Sequence, residues 1–531
     1  MSPPLRNARR GLETSRNDRA PASLLALTAV LAMSACGEPP LAPTPPASPP
    51  SPPSLGRFEE SGDVGGVRHA GSTVYDEATQ TYRLRGSGKN LWADSDEFHF
   101  AWRRMTGDFI VRAEAELLGE GVDPHRKTGW MVRAGLDGGA AYADVTVHDD
   151  GLTALQFRRS AGAGTEEIRS PVTAPDVLQL ERRGTSFVMS VARFGEPFVR
   201  DELADLDLGD EVYVGLFVCS HNADAVEEAS FRNVRIVVPP PPGWVPYQDY
   251  IGSNLEILDL ASGNRKIVHG SPDSLQAPNW TPDGKYLIYN RNGLLYRFDL
   301  ASGTPAVLDT GFADRNNNDH VLSFDGTRIG ISHHAGSDGA SRVYTLPIEG
   351  GTPAQVTPEG PSYLHGWSPD GAFLTYTAER GDGNYDIYVI PAAGGEEVRL
   401  TSGEGLDDGS EYSPDGKHIY FNSVRSGSME IWRMQPDGSD QEQVTDDAFN
   451  NWFPHFSPDG SQIVFLSYLA DVEPSDHPFY RQVYLRQMPA DGSAPPRVIA
   501  YVFGGQGTIN VPSWSPDGKR VAFVSNTALG L

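Results

Sequence analysis

The sequence predicts an all-β protein in which a β-sandwich is followed by a six-bladed β-propeller. Short segments of alternating apolar and polar residues recur through residues 57–238, and one turn sequence recurs six times through residues 244–531. The 57 glycines and 42 prolines among 531 residues agree with this prediction, because tight turns between strands favour both residue types. Each part is long enough to bury a core of its own.

Charge and cysteine content exclude two classes of protein. The net charge is −27, whereas nucleic-acid binding depends on lysine and arginine that neutralise phosphates. We therefore expect no nucleic-acid partner. Two cysteines cannot build a disulfide framework. The chain is also expected to be a monomer.

The N-terminal segment is predicted to direct secretion and membrane anchoring. Basic residues precede an apolar run, Leu24–Ala35, which is too short to cross a bilayer as a helix. The run ends in Met33-Ser34-Ala35-Cys36, which resembles the cleavage motif of bacterial lipoproteins. The resemblance implies that residues 1–35 are a signal peptide and that Cys36 carries the lipid. An ordinary signal peptide with a chance cysteine is the alternative.

Residues 36–56 are predicted to be a tether between the lipid and the folded part. The segment is rich in proline and favours an extended, semi-rigid polyproline II conformation. Gly37 after the cysteine is compatible with sorting to the outer membrane. We therefore expect the protein in the cell envelope, at the periplasmic side or the surface of the outer membrane.

Residues 57–238 are predicted to form the β-sandwich, and residues 239–243, PPPPG, are a linker to the next domain. Nine segments here have strand length, among them DFIVRAEAEL and TGWMVRAGL. The pattern resembles the concanavalin- and laminin-G-like sandwich. The closely spaced carboxylates that glycosidases need are missing from these strands, so binding or spacing is expected here rather than catalysis. The large aromatic residues either form a sugar-stacking platform or pack in the core; they are Trp92, Phe100, Trp102 and Trp130.

Residues 244–531 contain six copies of a turn sequence. Proline presets the first corner of such a turn, aspartate bonds back to the backbone, and glycine adopts the left-handed conformation. A spacing of 42 to 58 residues between the turn glycines, with four strands in each unit, is typical of a β-propeller. The six copies are Trp280–Gly284, Ser323–Gly326, Trp367–Gly371, Tyr412–Gly416, Phe456–Gly460 and Trp514–Gly518.

These repeats resemble the TolB-type propeller, and the resemblance covers all six units. It implies six blades. The last unit ends after its second strand, so residues 253–268 are predicted to complete that blade and to join the two ends of the propeller. Such closure leaves no open sheet edge.

One mouth of the propeller is predicted to carry the functional site. Six positions before the turn glycine, His320 and His365 replace the proline or small residue of most other units. Imidazole and carboxylate groups that converge from neighbouring strands suit a polar pocket or a divalent metal. Polar mouths with histidines that only brace the backbone are the alternative. The other candidates at this mouth are His333, His334, Glu379, Arg380, Asp407, Asp408, Glu411, Arg425, His455, Asp476, His477 and Gln506.

Two functions fit these residues. The first is a binding or scaffold protein for a protein or an oligosaccharide, with the ligand at His333, His334, Glu379, Asp408 and His477. The second follows from a resemblance to oligogalacturonate lyases, which implies a metal such as Mn, Zn or Ca. That resemblance implies the ligands His320, His365, His455 and Gln506, and the catalytic candidates Arg380, Glu411 and Arg425.

Two departures weaken the comparison with the lyases. Those enzymes have seven blades, and His455 lies five rather than six positions before its turn glycine, Gly460. The acidity of the chain also disfavours a polyanionic sugar unless the mouth is locally cationic. Binding is therefore the first hypothesis, and whether the protein is an enzyme stays open.

Overall fold

The computed structural model of the protein describes residues 54–245 and 248–528. The signal segment, Cys36 and most of the tether lie outside these residues. The described residues form strands and turns without an α-helix, as an all-β fold requires. Among them there is accordingly no helix with the length and apolar character needed to cross a membrane.

The first domain is a sandwich of two seven-stranded antiparallel sheets. One sheet has the order β1-β6-β15-β8-β9-β10-β11, the other has the order β14-β13-β12-β7-β16-β3-β2, and β4 pairs with β5 in a small hairpin. The strands are β1 (Glu60–Val64), β2 (Ser72–Asp76), β3 (Thr81–Gly88), β4 (Leu91–Trp92), β5 (Ser95–Asp96), β6 (Phe98–Thr106), β7 (Phe109–Leu118), β8 (Lys127–Arg133), β9 (Tyr142–His148), β10 (Thr153–Arg158), β11 (Glu166–Arg169), β12 (Val177–Arg183), β13 (Ser186–Ala192), β14 (Val199–Leu203), β15 (Glu211–Cys219) and β16 (Asn222–Val237).

All nine strands predicted for this domain are present, but the nine-strand prediction is incomplete. The largest omission is β6, which lies inside its sheet between β1 and β15. Its first five residues, Phe98–Trp102, are all buried, so the strand lacks the alternation that identifies a strand with one exposed face. The other omissions are short or lie at sheet edges.

The aromatic residues of the sandwich mostly pack inside it. Trp130 is fully buried between the two sheets. Phe100 and Trp102 pack in a second apolar cluster, where their rings stack 5.5 Å apart. Trp92 alone among the four candidate aromatic residues is exposed, at 38%. A four-residue stacking platform is therefore not formed.

The second domain is the six-bladed propeller. Five blades are four-stranded antiparallel sheets, and the sixth combines both ends of the domain. The strands are β17 (Ser253–Asp259), β18 (Arg265–Ser271), β19 (Gln276–Trp280), β20 (Tyr286–Arg291), β21 (Leu294–Asp299), β22 (Thr304–Val307), β23 (Asn316–Leu322), β24 (Arg328–His334), β25 (Ser341–Pro347), β26 (Ala354–Gln355), β27 (Ser362–Trp367), β28 (Phe373–Glu379), β29 (Tyr385–Pro391), β30 (Val398–Arg399), β31 (Asp407–Tyr412), β32 (Ile419–Ser423), β33 (Glu430–Met434), β34 (Glu442–Gln443), β35 (Asn450–Phe456), β36 (Gln462–Tyr468), β37 (Arg481–Pro489), β38 (Arg497–Gly504) and β39 (Arg520–Asn526).

The predicted closure of the propeller is confirmed. β17 pairs antiparallel with β39 from Ser253–Asn526 to Asp259–Arg520, and β18 pairs with β17 on its other side. Trp514 bridges to Val521 as the remnant of the innermost strand. Residues that precede the first repeat thus complete the last blade.

The six turn sequences share one hydrogen-bond pattern. In the fifth blade, Ser457 Oγ donates to Asp459 Oδ1 at 2.6 Å and accepts from the backbone N–H of Gln462 at 3.0 Å. The turn glycine has a positive φ, 71° at Gly460, which favours glycine. The same serine or threonine to aspartate bond recurs in the other five turns. The repeated sequence is therefore explained by turn chemistry alone.

Replacing Ser457 by alanine is expected to lower the free energy of unfolding by about 1–2 kcal/mol, because the N–H of Gln462 loses its partner at a partly buried position. Chemical denaturation followed by tryptophan fluorescence measures the change. Ser426→Ala, at an exposed position of the same domain, is the matched control and should leave stability within about 0.5 kcal/mol of the parent. Equal effects of the two changes would contradict this account of the turns.

A buried ion cluster joins the sandwich to the propeller. Glu256 of β17 is fully buried and accepts hydrogen bonds from Arg235 of β16 at 2.6 Å and from Arg265 of β18 at 3.1 Å. Burial alone would raise the pKa of Glu256, but the two guanidinium groups outweigh it and hold that pKa well below its usual range. Arg112 of β7 adds a bond to the carbonyl of Tyr501 in β38. The two domains therefore share a buried interface.

Candidate functional site

A cavity of about 610 Å³ opens at one mouth of the propeller. It lies beside the starts of the innermost strands, at the end opposite to the six turn sequences. Its size is within the range of small-ligand and peptide-side-chain sites. The lining residues are Asn317, Asn318, Asp319, His334, Tyr363, His365, Thr377, Gly383, Asn384, Tyr385, Leu406, Asp408, Phe453, Ser475, His477, Gln506 and Asn510.

Asp408 lies at the centre of the hydrogen bonds around this cavity. Its Oδ1 atom is 2.9 Å from His365 Nε2 and accepts from Thr377 Oγ1 at 2.7 Å and from the N–H of Gly409 at 2.8 Å. Its Oδ2 atom is 3.9 Å from His477 Nε2. Groups from four segments of the chain thus converge on one carboxylate.

Asp408 and His365 each shift the pKa of the other. Burial would raise the pKa of Asp408, but the neighbouring imidazole lowers it to about 2. Burial would lower the pKa of His365, but the charge of Asp408 and the hydrogen bond between them raise it above its ordinary value. The His365 ring also stacks on Phe453, with centroids 6.1 Å apart. The ring is held in place on two sides.

Asp319 supplies a second carboxyl group to the same cavity. Burial raises its pKa to about 6, and its Oδ2 atom accepts from Asn317 Nδ2 at 2.6 Å. This residue belongs to the Asn316–Leu322 strand, β23, in the blade next to that of His365. Two carboxyl groups and three imidazoles therefore face one cavity, together with amides and aromatic rings.

The structure places five of the candidate site residues along this cavity. They are His334, His365, Asp408, His477 and Gln506.

Two of the candidate metal ligands lie elsewhere. His320 is fully buried, and its Nε2 atom is 3.3 Å from the carbonyl of Ile288. His455 has both ring nitrogens at acceptors, with Nδ1 2.6 Å from Glu411 Oε2 and Nε2 2.6 Å from the carbonyl of Ile509. Neither ring lines the cavity that holds His365 and Gln506.

The arginine candidates are fixed inside their own blades. Arg380 donates to Glu397 at 2.6 Å, and Arg425 donates to Asp407 at 2.7 Å. Among the described lining residues of the cavity there is no lysine or arginine. The mouth is therefore not locally cationic. A cationic mouth was the condition under which the acidic chain was expected to bind a polyanionic sugar.

The remaining candidates also have structural partners. Glu379 accepts from the N–H groups of Gly381 and Gly383 in its own turn. His333 packs edge-on against Phe312 and Tyr344. Glu411 faces a different cavity, of about 310 Å³, which is lined by the tryptophans and prolines of the turn sequences.

β-Bulges explain why equivalent repeat positions do not face the same way. In β27, His365 is the extra residue between Leu364, which pairs with Tyr376, and Gly366, which pairs with Thr375. In β23 the irregularity precedes His320, which is in the regular ladder opposite Ile331. A shift of one residue turns a side chain to the other face of a strand. His365 reaches the cavity and His320 does not.

Several lining residues were missed by the sequence analysis. Tyr363 lies two positions before His365, and period-two alternation could have placed both on one side of β27. Asp319 and Phe453 carry no comparable signal, because they lie in bulged segments of their strands.

The fold defines a β-propeller protein, and a family model matches part of the chain. Residues 365–475 match the TolB β-propeller domain. An uncharacterised protein of Agrobacterium fabrum strain C58 is 49% identical over 273 residues, which cover 51% of this chain and 92% of that protein. The chain therefore belongs to the TolB β-propeller family.

Two further comparisons agree with this family. A solved structure of a provisionally named TolB protein from Agrobacterium tumefaciens has 48% sequence identity and a TM-score of 0.50, and it covers 53% of this chain and 100% of that one. The Tol-Pal system protein TolB of Bordetella pertussis is 29% identical over 187 residues. That match covers 35% of this chain and 33% of the Bordetella protein.

Proposed function

We propose that the protein is a lipid-anchored binding protein of the cell envelope, whose propeller mouth takes a neutral or basic segment of a protein partner. The observation that carries this proposal is the cavity of about 610 Å³ centred on Asp408. Its lining combines two carboxyl groups with amides and aromatic rings, and such groups recognise peptide amides and cationic side chains.

Charge distinguishes this proposal from a saccharide-processing enzyme. A uronate polymer needs cationic partners, and the described cavity lining offers carboxyl groups, imidazoles and amides instead. Family membership favours binding too, because a named relative is a protein of the Tol-Pal system. The anchor at Cys36 would hold the mouth close to the membrane, and the sandwich would act as a spacer or a second binding module.

Selection from a peptide library tests the proposal. Phage that display random 12-residue peptides are selected on the immobilised full-length protein, and the enriched peptides are measured by isothermal titration. We expect neutral or basic peptides, and we expect Asp408→Asn to weaken their binding at least about tenfold, since a charge-assisted hydrogen bond contributes about 1.5–3 kcal/mol.

Asp437→Asn is the matched control, because this carboxylate lies in an exposed turn of the same blade and accepts only from Ser439. It should leave affinity unchanged. Equal binding by the parent and Asp408→Asn, or enrichment of acidic peptides, would refute the proposal. A parallel screen with galacturonate trimers, read by ultraviolet absorbance of unsaturated product, would instead reveal the enzyme.

A further inference from the structure

A cluster of histidine and aspartate residues lies in the sandwich domain, away from the propeller mouth. His148 ends β9, and Asp150 follows it in the turn to β10. His125 lies in the loop before β8, and His221 lies in the turn between β15 and β16. Neighbouring strands of one sheet, β15-β8-β9-β10, therefore bring these four residues to the same end of the sheet.

Three of these residues have the spacing of a metal site. One ligand atom from each of His125, His148 and Asp150 can be chosen so that all lie within 4.8 Å of one another. Asp150 Oδ2 is 3.5 Å from His125 Nδ1. The turn fixes the carboxylate, since Asp150 Oδ1 accepts from the N–H of Leu152 at 3.0 Å. The group therefore needs little rearrangement to surround one ion.

His148 is the second observation, and it points to a ligand. The residue is 5% exposed, yet neither of its ring nitrogens has a hydrogen-bond partner among the described residues. A buried polar group without a partner costs about 1–3 kcal/mol, so such a group calls for an explanation.

The fourth residue, His221, completes the surroundings. Its ring centroid is 5.4 Å from that of His125, and the His125 and His148 centroids are 5.8 Å apart. His221 has a φ of 54°, an uncommon conformation for a residue other than glycine. All three imidazoles line a cavity of about 240 Å³, together with Lys127 and Trp92. Because the His125 side chain is half exposed, an ion can enter from solvent.

We propose that His125, His148 and Asp150 bind a divalent transition metal, with Zn²⁺ as the best fit, and that His221 is available as a further ligand. Two or three imidazoles with one carboxylate form a borderline-soft donor set that suits Zn²⁺ and disfavours Ca²⁺ and Mg²⁺, which take oxygen ligands. The site is independent of the function proposed for the propeller mouth.

Isothermal titration of the metal-stripped full-length protein with Zn²⁺ tests this assignment. We expect one tight equivalent, and we expect Co²⁺ to give the visible absorption bands of a four-coordinate ion. His125→Ala and Asp150→Asn should each weaken Zn²⁺ binding at least about tenfold, by analogy with the loss caused by disturbing the surroundings of metal ligands. Both residues are half exposed, so these variants should fold.

His69→Ala is the matched control, since this histidine is exposed in the same domain, and it should bind Zn²⁺ like the parent. His148→Ala should also abolish tight binding, with folding checked by circular dichroism. Failure of the parent to bind Zn²⁺, or retention of tight binding in both His125→Ala and Asp150→Asn, would overturn the proposal. Loss of the bound Zn²⁺ in His365→Ala alone would also overturn the proposal, because that result would place the ion at the propeller mouth.

Discussion

Replacing Glu256 by glutamine is expected to lower the free energy of unfolding by about 3–5 kcal/mol, since it leaves buried cations without their counter-ion. Arg235 and Arg265 are 7% and 4% exposed in their side chains, and both donate to this one carboxylate. The stability that is lost belongs to the interface between the sandwich and the propeller. Chemical denaturation of the full-length protein, followed at its first unfolding transition, measures the change.

Glu349→Gln provides the comparison for this variant. Glu349 pairs with Arg297 at 3.1 Å, but its side chain is 80% exposed, and surface ion pairs contribute about 0–1 kcal/mol. The control should therefore unfold within about 1 kcal/mol of the parent. If Glu256→Gln destabilised the protein no more than Glu349→Gln does, that result would contradict the view that the buried cluster stabilises the domain interface.

The Glu256 effect should also depend on pH in a defined direction. The folded-state pKa of Glu256 is lowered, so its contribution is present above the unfolded value of about 4.3 and is lost as the pH falls below it. The difference in stability between parent and Glu256→Gln should therefore shrink under acid. A difference that stays constant between about pH 7 and pH 3 would contradict this assignment.

Replacing Asp408 by alanine is expected to abolish binding at the propeller mouth and to lower the free energy of unfolding by about 2–4 kcal/mol. The change removes the carboxylate partner of buried His365 and leaves the hydroxyl of Thr377 and the N–H of Gly409 without their acceptor. Water that enters the open cavity can replace part of these hydrogen bonds, so the loss is smaller than at a fully dry site. Asp408→Asn keeps the shape and should cost less. Denaturation curves measure the change in the free energy of unfolding, and peptide titration measures the loss of binding.

The pH dependence of the Asp408 and His365 pair has two limits. Because the pKa of Asp408 is lowered to about 2, the stability that its ionised carboxylate contributes is lost as the pH falls from about 4 towards that value. The pKa of His365 is raised in the folded protein. The stability that its imidazole contributes is therefore complete below the pKa of about 6.5 in the unfolded chain and is lost as the pH rises through the pKa in the folded protein. In Asp408→Asn the loss of stability with rising pH should begin at a lower pH than in the parent.

The propeller was predictable from sequence because each blade repeats the same turn chemistry. Ser457 and Asp459 show why the turn sequence recurs, and the incomplete last repeat identified β17 as the closing strand. The sandwich was less predictable, since β6 is buried on both faces and has no alternation. Strand periodicity detects a sheet with one exposed face, and it is silent for a strand that is covered on both sides.

The candidate site was predictable only in part. Repeat position selected both His365 and His320. The structure places only His365 at the mouth cavity, because a β-bulge differs between the two blades. The partners of Arg380 and Arg425 are Glu397 and Asp407, which lie 17 and 18 residues away in the same blades, so the sequence could not show that these arginines are already paired. The histidines of the sandwich are far apart in the chain, from His125 to His221, and only the sheet brings them together.

We expect a ligand to occupy the cavity at Asp408. Nuclear magnetic resonance of the full-length protein with labelled histidine rings, titrated with a peptide from the library selection, tests it most directly. We expect the ring signals of His365 and His477 to shift in proportion to binding, while those of His69 and His125 in the sandwich stay in place. Binding that moves only the sandwich histidines, or leaves His365 and His477 unchanged at saturation, would contradict the account.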